Sequence, residues 1–151
     1  MPIAIKNSII DISSEETTKE LAKNFSNYLT GGEVIFLYGE MGVGKTTFVK
    51  YLINQFQIKK KLQITEVTSP TFNLLNEYEL DNLIIKHYDL FRLKDESEVK
   101  NLDLFDKNQN TITLIEWPEL IDKRNFKKTI DLIFNYENEL NNRSVKIDGL
   151  D

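Results

Sequence analysis

The 151-residue chain has no cysteine, which excludes disulfides, thiolate catalysis and cysteine-ligated zinc. No apolar run approaches the roughly 20 residues that a membrane span needs. The opening stretch MPIAIKNSIIDISSEE is briefly apolar but lacks a basic leader and a small-residue cleavage site, so the expected compartment is the cytoplasm. Excess positive charge is missing as well: 19 basic against 24 acidic residues leave a net charge of −5. A chain that grips tRNA or DNA by itself usually needs a basic face, because phosphate neutralisation supplies most non-specific affinity. The clusters Lys59, Lys60, Lys61 and Lys123, Arg124, Lys127, Lys128 read as solvated loop or helix-end charge.

There is no internal repeat and no Pro/Gly/Ser-rich linker, and residues 1–151 read as one domain. Ala4 to Ile12 reads as a strand. Ser13 or Ser14 then caps a helix that runs to about Leu29, with Leu21, Ala22, Phe25 and Leu29 on its apolar face. Gly31-Gly32 ends it, and Val34 to Tyr38 suits a buried strand. A glycine loop leads into a second helix from Thr46 to about Gln55. Thr71 to Leu80 and Leu83 to Leu90 flank Asp81-Asn82 as a hairpin. Asp95 to Leu102 reads as a short acidic helix and Thr111 to Glu116 as another buried strand. Thr129 to Tyr136 and Ser144 to Asp148 close the chain as strands joined across a polar stretch. Early strand–helix alternation with later hairpins predicts an α/β fold with a mixed parallel and antiparallel sheet.

The strongest signal is Gly39-Glu40-Met41-Gly42-Val43-Gly44-Lys45-Thr46, a full G-x-x-x-x-G-K-T match between a strand and a helix. Glycines let backbone N–H groups curl around an anion, and a helix N-terminus adds partial positive charge. Lys45 is placed to reach β- and γ-phosphates, and the Thr46 hydroxyl to hold Mg²⁺. The expected nucleotide contacts run from Gly39 through Thr47.

Such a loop needs a carboxylate near the metal. Glu116 ends the apolar run Ile112-Thr113-Leu114-Ile115 and fits that place, and Asp89, after Ile84 to Tyr88, is a second candidate. Either carboxylate is a candidate to bind the metal, or both through water. His87 is the only histidine; a lone strand histidine is more often packed or hydrogen-bonded than a general base. Trp117, the only tryptophan, either fills the core or lines the nucleotide pocket or a partner surface.

Four blocks in order, GEMGVGKTTF, SPTFNLLNEY at Ser69 to Tyr78, HYDLFRL at His87 to Leu93 and IEWPE at Ile115 to Glu119, resemble the bacterial TsaE family (older name YjeE). That resemblance covers essentially the whole chain and implies a P-loop fold around a central mixed sheet. It implies Thr46 and Glu116 as Mg²⁺ ligands, with Asp89 in the metal-proximal catalytic apparatus. Ser69, Pro70 and Thr71 match a nucleotide-sensing switch, Thr18 a position near the base, and Arg143 an arginine that reaches the nucleotide. Phe91 stands where the family usually has tyrosine, so a hydroxyl is lost. The family acts with TsaB and TsaD to place threonylcarbamoyl on adenosine 37 of tRNAs reading codons that begin with A. The resemblance thus implies partner proteins, with tRNA contacted through the complex and no membrane.

The expected chemistry is attack of water on the γ-phosphate of ATP, with charge held by Mg²⁺, Lys45 and loop amides. Asp89 or Glu116 orients the water. Arg92 and Arg143 are candidate arginine fingers, and a partner is another source. A small-molecule kinase shares the loop, but this chain has few arginines and little length for a lid. A nucleotide-gated interaction module without significant turnover is the remaining alternative.

Overall fold

The computed structural model describes residues 8–70, 73–100, 102, 109–137 and 142–149. Among these described residues, seven strands form in chain order: β1 Ile9–Asp11, β2 Val34–Tyr38, β3 Leu75–Leu80, β4 Leu83–Asp89, β5 Thr111–Glu116, β6 Thr129–Tyr136 and β7 Arg143–Asp148. Three α-helices accompany them among the same residues, α1 Glu15–Ser26, α2 Lys45–Lys59 and α3 Glu96–Lys100. Single 3-10 turns lie at Pro118–Leu120 and Lys123–Asn125, where the sequence reading assigned nothing.

All seven strands join one sheet in the order β1-β7-β6-β2-β5-β4-β3. β2 runs parallel to β5 and β6, and β4 parallel to β5. The pairs β1–β7, β6–β7 and β3–β4 are antiparallel. The mixed sheet expected from the sequence is therefore present. Every residue of β5 is buried, as an apolar run covered on both faces should be. Ile35, Leu37, Ile85, Leu114 and Leu132 face α1 and α2, while Phe36, Tyr88 and Ile115 pack with Val99 of α3 and with Trp117 and Phe126 on the other side.

Local chemistry sets the helix starts. Ser14 caps α1, its hydroxyl accepting from Thr17 N at 3.2 Å, and Glu15 and Glu16 complement the positive end. α1 stops at Ser26, three residues before the predicted end. α2 continues past Gln55 to Lys59, because no breaker intervenes before Lys61 takes φ 58°. β3 starts only at Leu75: the N–H groups of Asn73 and Leu74 turn back onto Pro70 O, and Leu74 sits at φ 67°. Residues 1–7, 71–72, 101, 103–108, 138–141 and 150–151 lie outside the description. The start of the first predicted strand, Thr71 and the end of the acidic helix fall there. Among the described residues, no helix is long and apolar enough to cross a membrane.

The chain leaves β2 through α2 and returns on one side as β5, then on the other as β6. That reversal opens a crevice beyond the carboxyl ends of the parallel strands, where open α/β sheets bind ligands. The helix bordering this crevice is anchored by Phe48, which is fully buried. Its ring meets Phe25 of α1 edge-on at 5.7 Å and Phe134 of β6 at 6.0 Å. Phe48→Ala is expected to cost about 3–5 kcal/mol through lost burial and a residual cavity. Urea unfolding should show a lower midpoint with an unchanged slope; a loss under about 1 kcal/mol would contradict this packing role.

Candidate functional site

The loop from Tyr38 into α2 is built on left-handed glycines. Gly39 has φ 143°, and a Cβ there would lie 2.8 Å from Phe134 O, so a side chain is barred by both conformation and space. Gly44 is the N-cap of α2 at φ 117° and offers no side-chain cap, and no acidic residue stands in the first turn. The first N–H groups of a 15-residue helix are thus left for another acceptor, with the positive end of the helix dipole behind them.

Around this end lies a cleft of about 210 Å³ whose walls include Gly42, Lys45, Thr46, Thr47, Ser69, Asp89, Glu116, Trp117 and Arg143. Strand register explains the carboxylates. Asp89 and Glu116 are paired across β4 and β5, both at the strand ends, on strands spaced by about 4.8 Å. Both are buried, at 5% and 3% exposure. Glu116 Oε1 and Oε2 lie 3.3 and 3.2 Å from Thr46 Oγ1. Asp89 Oδ1 accepts from Phe91 N at 3.0 Å. His87, two residues before Asp89 on the same face, places Nε2 at 2.6 Å from Glu116 Oε2 and is fully buried. It hydrogen-bonds inside the protein, as a lone strand histidine was expected to do.

Lys45 Nζ donates to Gly39 O at 2.5 Å and sits 3.7 Å from the centre of the Trp117 ring. Burial lowers its pKa from the usual lysine value, against the opposing pull of the Glu116, Asp89 and Glu119 charges. Trp117 holds this position with φ 57°, a rare backbone state for a bulky residue. Its indole thus faces the cleft as well as the core. Phe91 packs against it with ring centroids 4.8 Å apart and planes tilted by 51°, a ring contact that needs no hydroxyl.

A second hollow of about 270 Å³ adjoins the first between α1 and the loop, lined by Ile12, Thr18, Val43, Gly44, Thr47 and Arg143 among others. Arg143 borders both hollows; its Nε is buried without a hydrogen-bond partner among the described residues. Of the residues expected at the site, Glu40 is exposed and its side chain is not on the cleft wall. Val43 is buried in the core, so it offers a ligand of the cleft only its backbone. Met41, 65% exposed, stands at the rim. Tyr136 was missed by sequence reasoning. Its hydroxyl donates to Met41 O at 3.4 Å, and its ring lies 5.8 Å from the Arg143 guanidinium. Its cross-strand pairing with Arg143, which would have flagged it, exists only in the folded sheet.

The residues suit Mg²⁺ carried with a polyphosphate. A hydroxyl and carboxylate oxygens are hard donors. No cluster of three or more His, Cys, Asp or Glu able to hold a metal occurs among the described residues. Mg²⁺ commonly takes one or two protein oxygens, with phosphate and water completing its shell. The buried, unpartnered Nε of Arg143 and the uncapped helix call for an anion at the same place.

The TsaE family, described as "Threonylcarbamoyl adenosine biosynthesis protein TsaE", matches residues 12–145. The chain is 41% identical over 115 residues to the tRNA threonylcarbamoyladenosine biosynthesis protein TsaE of Rickettsia bellii, spanning 76% of this chain and 77% of that protein. It is 38% identical over 137 residues to the protein of the same name from Aquifex aeolicus, spanning 90% and 92%. The crystal structure of Bacillus subtilis YdiB superposes with a TM-score of 0.70 over 95% of this chain and 86% of that one, at 23% identity, a likeness of fold.

The ammonium over the single indole gives an optical handle on the site. Adding Mg-ADP should change Trp117 fluorescence saturably, as Lys45 turns from the ring toward phosphate. In Lys45→Ala the change should shrink by at least about half, since a cation at a ring face interacts at roughly 0.5–2 kcal/mol. An identical response in the variant would refute this coupling.

Proposed function

The chain belongs to the TsaE family, and on that footing we propose that it is a Mg²⁺-dependent ATPase of tRNA threonylcarbamoyladenosine formation. In this reading it acts in the cytoplasm with TsaB and TsaD, which modify adenosine 37. One observation carries it. A single cleft brings together an uncapped helix end, Lys45, Arg143 and the paired carboxylates Asp89 and Glu116.

The loop amides and the first N–H groups of α2 donate to phosphate oxygens. Lys45 exchanges the Gly39 carbonyl for the β- and γ-phosphates, and Arg143 donates from the other wall. Thr46 Oγ1 and Glu116 hold the metal side, since these two already stand together. When bound, Mg²⁺ supplies the positive charge without which a triphosphate and two carboxylates repel each other. Asp89 accepts a hydrogen bond from a water and aligns it with the γ-phosphorus. Attack forms a new P–O bond as the bond to ADP breaks, and phosphate leaves with no acceptor beyond water. Arg143 or a partner's arginine acts as the finger.

The tRNA is contacted through companion proteins. Supporting this are the net charge of −5 and the pairing of two members of the basic cluster with aspartates. Lys123 donates to Asp131 at 2.7 Å, and Arg124 holds Asp122 by two side-chain bonds that depress its pKa to about 2.

Phosphate release from Mg-ATP, measured with and without TsaB and TsaD from the same source, tests the proposal. The pair should stimulate release, EDTA should stop it, and Lys45→Ala should lower it by at least about 10²-fold. Turnover that ignores the pair and depends on a small acceptor would replace this reading with a kinase. ATP-dependent partner binding without release would leave a nucleotide-gated module.

A further inference from the structure

Among the described residues, His87 is a buried titratable side chain that lies behind the cleft wall rather than on it. It is absent from the cleft wall, fully buried, and bonded to Glu116 Oε2 at 2.6 Å. An ionised carboxylate accepts only, so the ring nitrogen Nε2 carries the proton of this bond. The two contacts of Glu116 are unequal in kind. Thr46 Oγ1 stands 3.3 and 3.2 Å from the two oxygens, long for a hydroxyl bond and shared almost evenly. One hydroxyl proton shared between the two in a three-centre bond favours neither oxygen, so the threonine fixes the carboxylate's orientation only weakly. The histidine bond is short and directed at a single oxygen. Its ring is locked on β4, paired with Leu114 of β5 two residues before Glu116.

We propose that His87 is a positioning residue for the metal site: its Nε2–H holds Glu116 turned toward Thr46, ready for Mg²⁺. The inference rests on the metal reading of Glu116 given above. A carboxylate so held does not swing between rotamers when metal arrives, and its oxygen shared with the imidazole is polarised by the N–H. Outer partners of this kind typically set about 10–100-fold of metal affinity.

The test is calorimetric binding of ADP with and without Mg²⁺, to the full chain and three variants. The readout is the factor by which Mg²⁺ raises ADP affinity. In His87→Gln the amide nitrogen reaches roughly where Nε2 lies, and the factor should stay within about threefold of the native one. In His87→Phe the ring volume remains but the donor is gone, and the factor should fall by about 10-fold or more. ADP affinity without metal should stay within about twofold in both. If the phenylalanine variant does not fold, His87→Asn removes the donor instead, because its shorter amide mimics Nδ1, and the same fall is expected. A merely structural histidine would alter both affinities and the melting temperature together. Retention of the full Mg²⁺ factor in a folded donorless variant overturns the positioning role alone. Absence of any Mg²⁺ factor in the native chain overturns both the metal reading and this inference.

Discussion

The arrangement depends on one unmet demand, the unsatisfied N-terminal end of α2. Helix α1 meets the same need within itself, through the Ser14 hydroxyl and two acidic residues in the first turn. Helix α2 starts at a glycine in a left-handed conformation with no cap and no acid. Leaving such N–H groups without acceptors is costly, so this end of the helix offers its donors to an acceptor from outside the helix. The core holds that end in place. Phe48 ties α2 to α1 and β6, and Val43 buries the middle of the loop.

Burying two carboxylates beside this positive end balances it. Coulomb attraction from Lys45 favours them, while their proximity to each other and to any phosphate disfavours them unless a cation intervenes. Glu116 is the pivot, touching Thr46 on one side and His87 on the other. Part of the surface positive charge is paired locally. Lys123 and Arg124 are bound to aspartates rather than arrayed on a face. Proteins that must neutralise many phosphates keep such side chains uncommitted.

Much of this was legible in the chain. The strand Val34–Tyr38, the glycine loop and the buried strand ending at Glu116 follow from runs and spacings of a few residues, and each stands where expected. Boundaries were less legible. The start of β3 is set by Pro70, whose carbonyl captures two following N–H groups, a bond that no propensity encodes. Tyr136 and the Gly39 carbonyl escaped because their roles arise from contacts with Met41, Arg143 and Lys45 rather than from their own neighbours in sequence. His87 was half legible: alternation put it on the face of Asp89, but its partner lies on another strand.

By itself the sequence determined what is local: the positive-φ turns at Gly39 and Gly44, the absent cap, and the alternation that aims side chains to one face. These follow from φ/ψ sterics and hydrogen bonding within a turn or two, and need no knowledge of the rest. Only the tertiary structure decided which groups meet. Thr46 and Glu116 are 70 residues apart, and the partnership of Glu116 with Asp89 and His87 rests on the parallel register of β4 with β5. Register is chosen by packing both faces of the sheet at once, a global condition. A slip of one residue would turn each of those side chains to the opposite face.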